Sequence, residues 1–565
     1  ISPGSTKRYF FFFFDTLYQG QDSIFILAFQ PKKGKLFNGL KGLLYVHTQG
    51  YALQNVVARP AALTSAKIKI EQSYRLVEEA QWFPYELNLE ILFPKYINKF
   101  TALKIKSTSR IRKVELHPIF DKKLFRQDEV IFSDSVNYAS PTKLEAYRVD
   151  RLDQKELNTY QFMDSMGQLF KLEPIMDFLL SFGTGKYPIG PIDLDVDRLV
   201  GFNNYENVRL GLGAHTNELV SKYFSLGGYF AYGFEDQAWK YSGDFRLFFP
   251  FLSIPRLQLK VAYQNEIREP AGLEMLELRP VFSNRYLFVD RVDQIEEKAI
   301  SISGDFLKNV YTKLSLNQQV FTPLYEYEYV GDQLALNRFN FTEFGFAIRF
   351  AYGERFLSSQ GRRTVLGTRF PILQVSYALG LDGFLDGAYR YHRLRIALED
   401  DFRIRNFGKI EYRLEMGYAQ GELPYPKLFN GSGVGGDFST LAVGNNFQTM
   451  FNYEFVSSRF VQLYFKYEIG NILYRIKYSQ PKLSLVQNTA IGTLENRAQH
   501  QKLVFKTLEH GFFESGVVLD NLLRFKIMSL GYLGFGGGIY YRYGAYHLAE
   551  QHENFAFRLT SGFSF

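Results

Sequence analysis

Hydrophobic and polar residues alternate with a period of two in many segments from about residue 200 to the end of the chain. In the segment 409–418, one set of alternate positions reads Ile, Tyr, Leu, Met, Tyr, and the other reads Lys, Glu, Arg, Glu, Gly. Because successive side chains of a β-strand point to opposite faces, this segment predicts a strand with one apolar and one charged face. Strands of a membrane barrel have this pattern, with the apolar face toward lipid.

The same alternation recurs at 461–467 and at 256–263, where the predicted apolar face comprises Leu257, Leu259, Val261 and Tyr263. In the last eleven residues, one face comprises Phe555, Phe557, Leu559, Phe563 and Phe565. One such strand is also typical of a soluble antiparallel sandwich. The pattern recurs over about 370 residues, and a sandwich of that size would be unusual as a single domain. We therefore expect an all-β fold, a transmembrane antiparallel β-barrel of about sixteen strands.

Three regions differ in their pattern. Residues 1–150 contain shorter strand patterns separated by ordinary loops and predict a small periplasmic β-rich domain. Residues 151–198 change to a helical period and end in a Gly- and Pro-rich link, which predicts an amphipathic helical segment before the barrel at 199–565. Within the first region, residues 82–92 are similar to the sheet of lipoprotein-carrier-like folds, although a packing or docking sheet is the simpler interpretation.

Composition excludes several classes of protein. No run approaches the roughly 18 apolar residues that a membrane-spanning helix needs. Cysteine is absent, which excludes disulfides, thiol catalysis and Cys-zinc sites. The net charge of +8 is distributed along the chain without a basic stripe, so nucleic acid is not an expected partner. The eight histidines have no metal-ligand spacing and no Gly-x-Ser-x-Gly motif is present, so we expect neither an enzyme nor a cofactor or metal.

Charged residues on the polar faces of the strands are candidates for an interior site. We expect them to guide a solute, to bind a plug or, more simply, to form a solvated network. A charge introduced at Leu414, on the apolar face, is expected to be costly, whereas the same change at Glu415 is expected to cost little. The candidate interior charges are Arg393, Arg395, Glu411, Arg413 and Glu415.

The order of parts resembles the superfamily of outer-membrane assembly and translocation barrels, with an N-terminal domain, a Gly-rich loop at 430–438 and a terminal Phe. The resemblance implies that the loop folds into the interior and that Phe563 and Phe565 form a barrel-closing C-terminal signal. Gly436-Asp437-Phe438 stands where the superfamily has an Arg-Gly-Phe-type motif, so the arginine has no counterpart. We expect Asp437 to meet a basic interior residue instead. The loop candidates are Gly433, Gly435, Gly436, Asp437 and Phe438.

Four segments, 31–40, 201–206, 209–213 and 446–450, resemble an uncharacterised Bacteroidota-type outer-membrane barrel family, which often carries an N-terminal carboxypeptidase-regulatory-like domain. The resemblance implies an outer-membrane location, with outer-membrane lipid and other envelope proteins as partners. The first functional hypothesis is insertion or export of polypeptide or lipid. The alternative is a channel or a structural subunit of a larger outer-membrane complex, and an outer-membrane hydrolase has the least support.

Overall fold

The computed structural model describes residues 4–564 except 21, 33–38, 49, 62–66, 79–80, 94–102, 120–129, 133–151, 170–184, 251, 253, 255, 273–286, 308, 332–334, 360–361, 405–406, 437–439, 471–473, 475, 477 and 528–530. The described chain is built mainly from antiparallel strands and has few helices, which confirms the all-β prediction. Within the described residues, no helix is both long enough and apolar enough to cross a membrane.

The N-terminal region forms one seven-stranded sheet in which consecutive strands pair in an antiparallel meander. Apolar side chains from neighbouring strands, such as Ile24, Ile26, Leu44 and Val46, are buried in it. Because the strands pair in chain order, β1 is one edge of the sheet and β7 is the other. The strands are β1 (Tyr9–Gln19), β2 (Asp22–Pro31), β3 (Leu40–His47), β4 (Leu53–Pro60), β5 (Lys67–Val77), β6 (Gln81–Phe93) and β7 (Leu103–Arg110).

Two α-helices lie in the described residues, α1 (Ser5–Arg8) and α2 (Gln154–Leu169). The helix α2 falls in the segment for which the sequence predicts a helix. It is capped reciprocally, because the Glu156 amide donates to Asp153 Oδ1 at 2.7 Å and the Asp153 amide donates to Glu156 Oε2 at 3.0 Å. Tyr160 and Phe162 on this helix are exposed.

The largest sheet is antiparallel, and β35 stands next to β9 in its strand order, which is the order of a closed barrel. Its strands are β9 (Lys186–Ile189), β10 (Ile192–Asp195), β11 (Val200–Asn203), β12 (Asn207–Thr216), β13 (Phe224–Gly233), β14 (Trp239–Phe248), β15 (Gln258–Arg268), β16 (Asp293–Leu307), β17 (Val310–Pro323), β20 (Phe339–Ala351), β23 (Ile372–Gly380), β24 (Tyr391–Ile404), β25 (Gly408–Gly421), β30 (Arg459–Gly470), β31 (Lys482–Thr493), β33 (Phe512–Ile527), β34 (Gly531–Tyr543) and β35 (Phe555–Ser564).

The remaining strands are short and lie between barrel strands, apart from β8 (Val130–Phe132), which pairs in parallel with β21. They are β18 (Glu328–Val330), β19 (Ala335–Leu336), β21 (Arg355–Ser359), β22 (Arg362–Gly367), β26 (Phe429–Asn430), β27 (Gly433–Gly435), β28 (Phe447–Phe451), β29 (Val456–Ser457) and β32 (His500–Gln501). Single 3-10 turns occupy Val196–Arg198, Tyr425–Lys427, Arg497–Gln499 and Gln551–Asn554.

The beginning of the barrel differs from the sequence prediction. The Gly- and Pro-rich link contributes β9, and β10 also precedes residue 199, whereas β11 begins at Val200, so the sheet starts before the predicted boundary. Both β10 and β11 pair with β12, at its two ends, and therefore share one position in the sheet. The strand order of this sheet contains eighteen named strands within the described residues. The number of about sixteen barrel strands therefore stays a prediction.

The two faces of the barrel strands differ in the way that the alternation predicts. In β25, Arg413 and Glu415 are buried while Met416 is exposed. In β35, Ala556 and Arg558 are buried while Phe557 and Leu559 are exposed. The side chains of Phe563 and Phe565 lie outside the described residues.

One assignment to the apolar face was wrong. Leu257 precedes the first residue of β15 and is buried, because the strand alternation starts only at Gln258. Val261 and Tyr263, farther along β15, are exposed as predicted.

Candidate functional site: the interior loop and the edge of the last strand

The segment 422–458 joins β25 to β30 and packs against the polar faces of the barrel strands; we call it the interior loop. Its own hydrogen bonds fold it into two small pairings, β26 with β29 and β27 with β28. Val434, Phe447, Met450 and Phe455 are fully buried. A long connection that is this well covered is a packed structural element rather than a surface excursion.

Aromatic side chains from the loop and the barrel form two clusters. Phe429 of the loop packs edge-on against Phe460, with ring centroids 5.1 Å apart. Phe447 packs against Phe512 at 5.2 Å. Such pairs add stabilisation beyond their buried area, of the order of 1 kcal/mol each. These two contacts fix the loop to β30 and β33, two barrel strands that follow it in the chain.

A buried cation joins the start of the loop to the barrel. Lys427 Nζ lies 2.9 Å from Glu343 Oε2 and donates to Gln319 Oε1 at 2.5 Å. The same ammonium group lies 4.8 Å from the ring centroid of Phe321 and 5.0 Å from that of Phe341. A charge taken out of water needs such compensation from a carboxylate, a hydrogen bond and aromatic faces.

The five candidate interior charges divide into three groups. Arg393 contacts the loop, since its guanidinium donates to Leu428 O at 3.3 Å and to Gly272 O at 2.8 Å. Arg395 and Arg413 both donate to Glu415, with 3.1 Å for the Arg395 bond. Glu411 pairs with Lys409 at 2.8 Å and is partly exposed.

The surroundings of Glu415 argue against a low cost for a change at this position. Glu415 is 3% exposed, and its carboxylate also accepts a hydrogen bond from Gln462 at 2.6 Å. The sequence shows that Glu415 shares a face with charged residues, but not that two arginines converge on it from adjacent strands. Replacing this carboxylate with a cation would leave three buried positive charges together.

The glycines of the loop are placed where the backbone comes close to another strand. Gly433 and Gly435 are buried in β27, and Gly436, which follows the strand, is exposed. A Cβ atom on Gly433 would lie 2.5 Å from the carbonyl oxygens of Met450 and Phe451, and one on Gly435 would lie 2.7 Å from Met450 O. Asp437 and Phe438 lie outside the described residues, and so does the expected contact of Asp437 with a basic residue.

Sequence reasoning missed the polar contacts that hold the second half of the loop. Glu514 of β33 accepts hydrogen bonds from the Thr449 amide and hydroxyl, both at 2.6 Å, and from Asn488 at 2.8 Å. Arg558 of β35 donates to Gln448 O. In the sequence, the only sign of these contacts is that Glu514 and Arg558 lie on the polar faces of their strands. No sequence pattern marks their partners in the loop.

The loop also reaches the edge of the last strand. The Leu559 amide donates to Thr440 O at 2.7 Å, and the Leu559 carbonyl accepts from the Ala442 amide at 2.9 Å, which makes a parallel bridge between Leu441 and Leu559. Since β34 pairs with the other edge of β35, these bonds lie on the edge where the barrel closes. We call residues 440–442 the edge segment.

A cavity of about 750 Å³ lies beside this contact, near the end of the barrel at which β24 and β25 are joined. Leu441 and Ala442 of the edge segment and residues 559–562 of β35 line it on this side. Charged residues of both signs line the rest: Glu399, Asp400, Asp401, Lys409, Glu411, Arg413, Lys466, Glu468, Lys482 and Asp520. The cavity is thus polar and adjoins the edge at which the barrel closes.

A protein-family model matches part of the chain. Residues 307–506 match the model described as the C-terminal domain of a family of unknown function, DUF5686, and this match spans the interior loop. No curated protein matches the sequence. Among solved structures, the chain is similar to BamA from Haemophilus ducreyi lacking POTRA domains 1-3, with 13% sequence identity, coverage of 65% of this chain and 69% of that chain, and a TM-score of 0.39.

Proposed function

We propose that the chain is an outer-membrane β-barrel protein of the assembly or translocation type, with residues 1–150 in the periplasm, which assists insertion or export of polypeptide or lipid. The distribution of side chains supports the membrane location. Leu226, Phe230 and Val261 are exposed on one face of the barrel strands, whereas Lys240 and Arg542 are buried on the other. Water would favour the opposite arrangement, and lipid favours this one.

The observation that carries the function is the edge segment on β35. Leu559 obtains both of its backbone hydrogen bonds from two residues of the interior loop, Thr440 and Ala442, instead of from a long barrel strand. The next strand in the barrel order, β9, has only four residues, and one of them is Pro188, which has no amide hydrogen to donate. An edge covered by short segments can pair with an incoming strand once they leave.

The proposed mechanism follows from that geometry. The edge segment leaves β35, and the backbone groups of Leu559 then pair with an extended segment of the polypeptide that is being inserted or exported. Backbone hydrogen bonds give affinity without requiring a particular sequence, and the adjoining polar cavity keeps the departing loop segment solvated. No cofactor or reaction step is needed for this exchange of strands.

A disulfide across the contact tests the proposal. Because the chain has no native cysteine, Leu441→Cys with Leu559→Cys introduces a single possible bridge. The purified protein in vesicles is assayed for the rate at which an unfolded small outer-membrane barrel protein folds into the same vesicles. We expect the oxidised variant to fall to the rate of empty vesicles and a reductant to restore it.

The matched control is Leu414→Cys with Leu463→Cys, which face each other on β25 and β30, away from the closing edge. This pair should leave the rate unchanged in both redox states. If the oxidised 441–559 pair is as active as its reduced form, release of the edge segment is not part of the function and the proposal fails.

The second candidate is a channel or a structural subunit of a larger envelope complex. The aromatic clusters that fix the interior loop favour a static structural role within this alternative. The same two disulfide variants discriminate it in planar bilayers. A steady ion current that is indifferent to oxidation of the 441–559 pair, together with no effect of the protein on folding rates, would support the channel.

A further inference from the structure

One end of the N-terminal sheet carries a row of basic side chains. The antiparallel meander brings the start of β1, the end of β2, the start of β3, the end of β4 and the start of β5 to the same end, as the pairs Tyr9 with Pro31 and Lys41 with Arg59 show. The start of β7 joins them, because Leu92 pairs with both Lys67 and Lys104. We define the basic rim as Lys7, Lys32, Lys41, Arg59, Lys67 and Lys106.

Acidic residues do not neutralise this rim. At the same end, Glu71 pairs with Lys69 at 3.3 Å and Glu90 pairs with Lys104 at 2.9 Å, so each carboxylate is matched by a lysine that is not in the rim. Within the part of the chain that the structure describes, none of the six rim residues is in an ion pair. Six positive charges along one end of a sheet create a local field that attracts an anionic surface.

Exposed aromatic residues adjoin the rim on the edge strand β1. Phe10 is 46% exposed and Phe12 is 50% exposed, and their rings lie 6.1 Å apart. Lys32 Nζ lies 5.0 Å from the centroid of the Phe10 ring, so the cation and the aromatic side chain form one surface. Phe13, on the other face of the strand, is 66% exposed. Large aromatic side chains at an exposed edge are unfavourable in water alone.

We propose that the basic rim and the start of β1 form a second, peripheral membrane-binding site that takes an anionic phospholipid surface. Rings enter the headgroup region while cations bind phosphates, which is how interfacial segments attach to membranes. Both halves of this chemistry are present together at Phe10 and Lys32.

Spin labelling of the full chain tests this site. A nitroxide on Phe12→Cys is unique in a chain without cysteine, and its collision with oxygen is compared with its collision with a water-soluble nickel chelate. The protein is reconstituted in phosphatidylcholine vesicles with and without phosphatidylglycerol. We expect the oxygen-to-nickel accessibility ratio to rise several-fold when phosphatidylglycerol is present and to fall back when salt screens the charges.

Charge reversal provides the matched comparison. Lys7→Glu with Lys41→Glu should abolish the rise in the ratio, whereas Arg112→Glu with Lys113→Glu, which follow β7 at the opposite end of the sheet, should preserve it. A nitroxide on Tyr51→Cys, exposed in the turn between β3 and β4 at that opposite end, should stay accessible to nickel in both lipids.

Three results would overturn the proposal. The first is an oxygen-to-nickel accessibility ratio at position 12 that is the same with and without phosphatidylglycerol. Dipolar broadening between labels would instead identify a second copy of the chain on the edge of β1. A label shielded from both oxygen and nickel in every lipid would show that another segment of the same chain covers the strand.

Discussion

Arg542 of β34 binds both carboxylate oxygens of Glu454 in the interior loop, with nitrogen–oxygen distances of 3.0 and 2.8 Å. The arginine side chain is fully buried, and its guanidinium also lies 4.9 Å from the ring centroid of Phe512. The strand supplies the arginine and the loop supplies the carboxylate, so this buried ion pair anchors the loop to the barrel strands.

The first prediction removes one side of this anchor. Glu454→Gln leaves a buried, uncompensated guanidinium, and we expect it to lower the free energy of unfolding by about 3–5 kcal/mol. Glu495→Gln is the control, because the Arg459–Glu495 pair is exposed on both sides and should contribute about 0–1 kcal/mol. Urea unfolding in vesicles, followed by gel mobility without boiling, measures both. Equal midpoints for the two variants would contradict the anchoring role.

The second prediction concerns the faces of β25. Leu414 lies on the outward face, and Leu414→Arg should cost roughly 2–4 kcal/mol if that face contacts lipid. Glu411→Arg, at a partly exposed interior position near the cavity, should cost less than about 1 kcal/mol. The fraction of chain that migrates faster before boiling than after it reports folding. Similar losses at the two positions would show that the outward face does not meet lipid.

The strands were predictable because the alternation of polar and apolar residues is visible in the local sequence of each strand. The alternation in β25, β30 and β35 depends only on neighbouring residues, and the positions of Arg413, Gln462 and Arg558 follow from it. The contacts of the loop were not predictable in this way. Glu454 and Arg542 are 88 residues apart, and nothing local to either one indicates that the closed sheet will bring them together.

The same limit explains two expectations about individual residues that their surroundings argue against. Glu415 was assigned a solvated face, but the cross-strand neighbours Arg395 and Gln462 close over it. Leu257 was assigned to the apolar face, but it lies one residue before β15 begins, where alternation does not apply. Position relative to a strand end and convergence across strands are tertiary properties, which a period of two does not contain.

The third prediction is a pH dependence that arises in the loop sheet of β18 and β32, outside the barrel strands. His500 is buried against Tyr327, whose hydroxyl lies 2.9 Å from His500 Nδ1, and burial lowers the pKa of His500 from 6.5 to about 4. Between these pH values the unfolded chain binds a proton that the folded chain does not. Stability is therefore fully present above about pH 6.5 and decreases as the pH falls toward 4, by roughly 3 kcal/mol.

Urea midpoints measured on either side of that pH window check this dependence. His500→Gln should flatten it, because the glutamine cannot take up the proton. His392→Gln, at an exposed position on β24, should retain it. An unchanged pH dependence in His500→Gln would assign the acid sensitivity to another group.

The last prediction tests whether the glycines of the interior loop are needed for close packing. Gly433→Ala would place a methyl group 2.5 Å from the carbonyl oxygens of Met450 and Phe451, and these oxygens belong to the β28 backbone with which Gly433 pairs. A backbone atom cannot rotate away as a flexible side chain can, so β27 and β28 must separate. We expect a loss of about 1–3 kcal/mol in the free energy of unfolding and faster proteolysis within the loop. Gly444→Ala is the control in the same loop, because nothing lies within 4 Å of its added methyl group, and it should behave like the parent chain.

If Gly433→Ala is as stable and as protease-resistant as Gly444→Ala, and a tag inserted after Gly433 is labelled on intact cells, the loop is a surface excursion. The edge segment, which the same loop carries, would then lose its place beside Leu559.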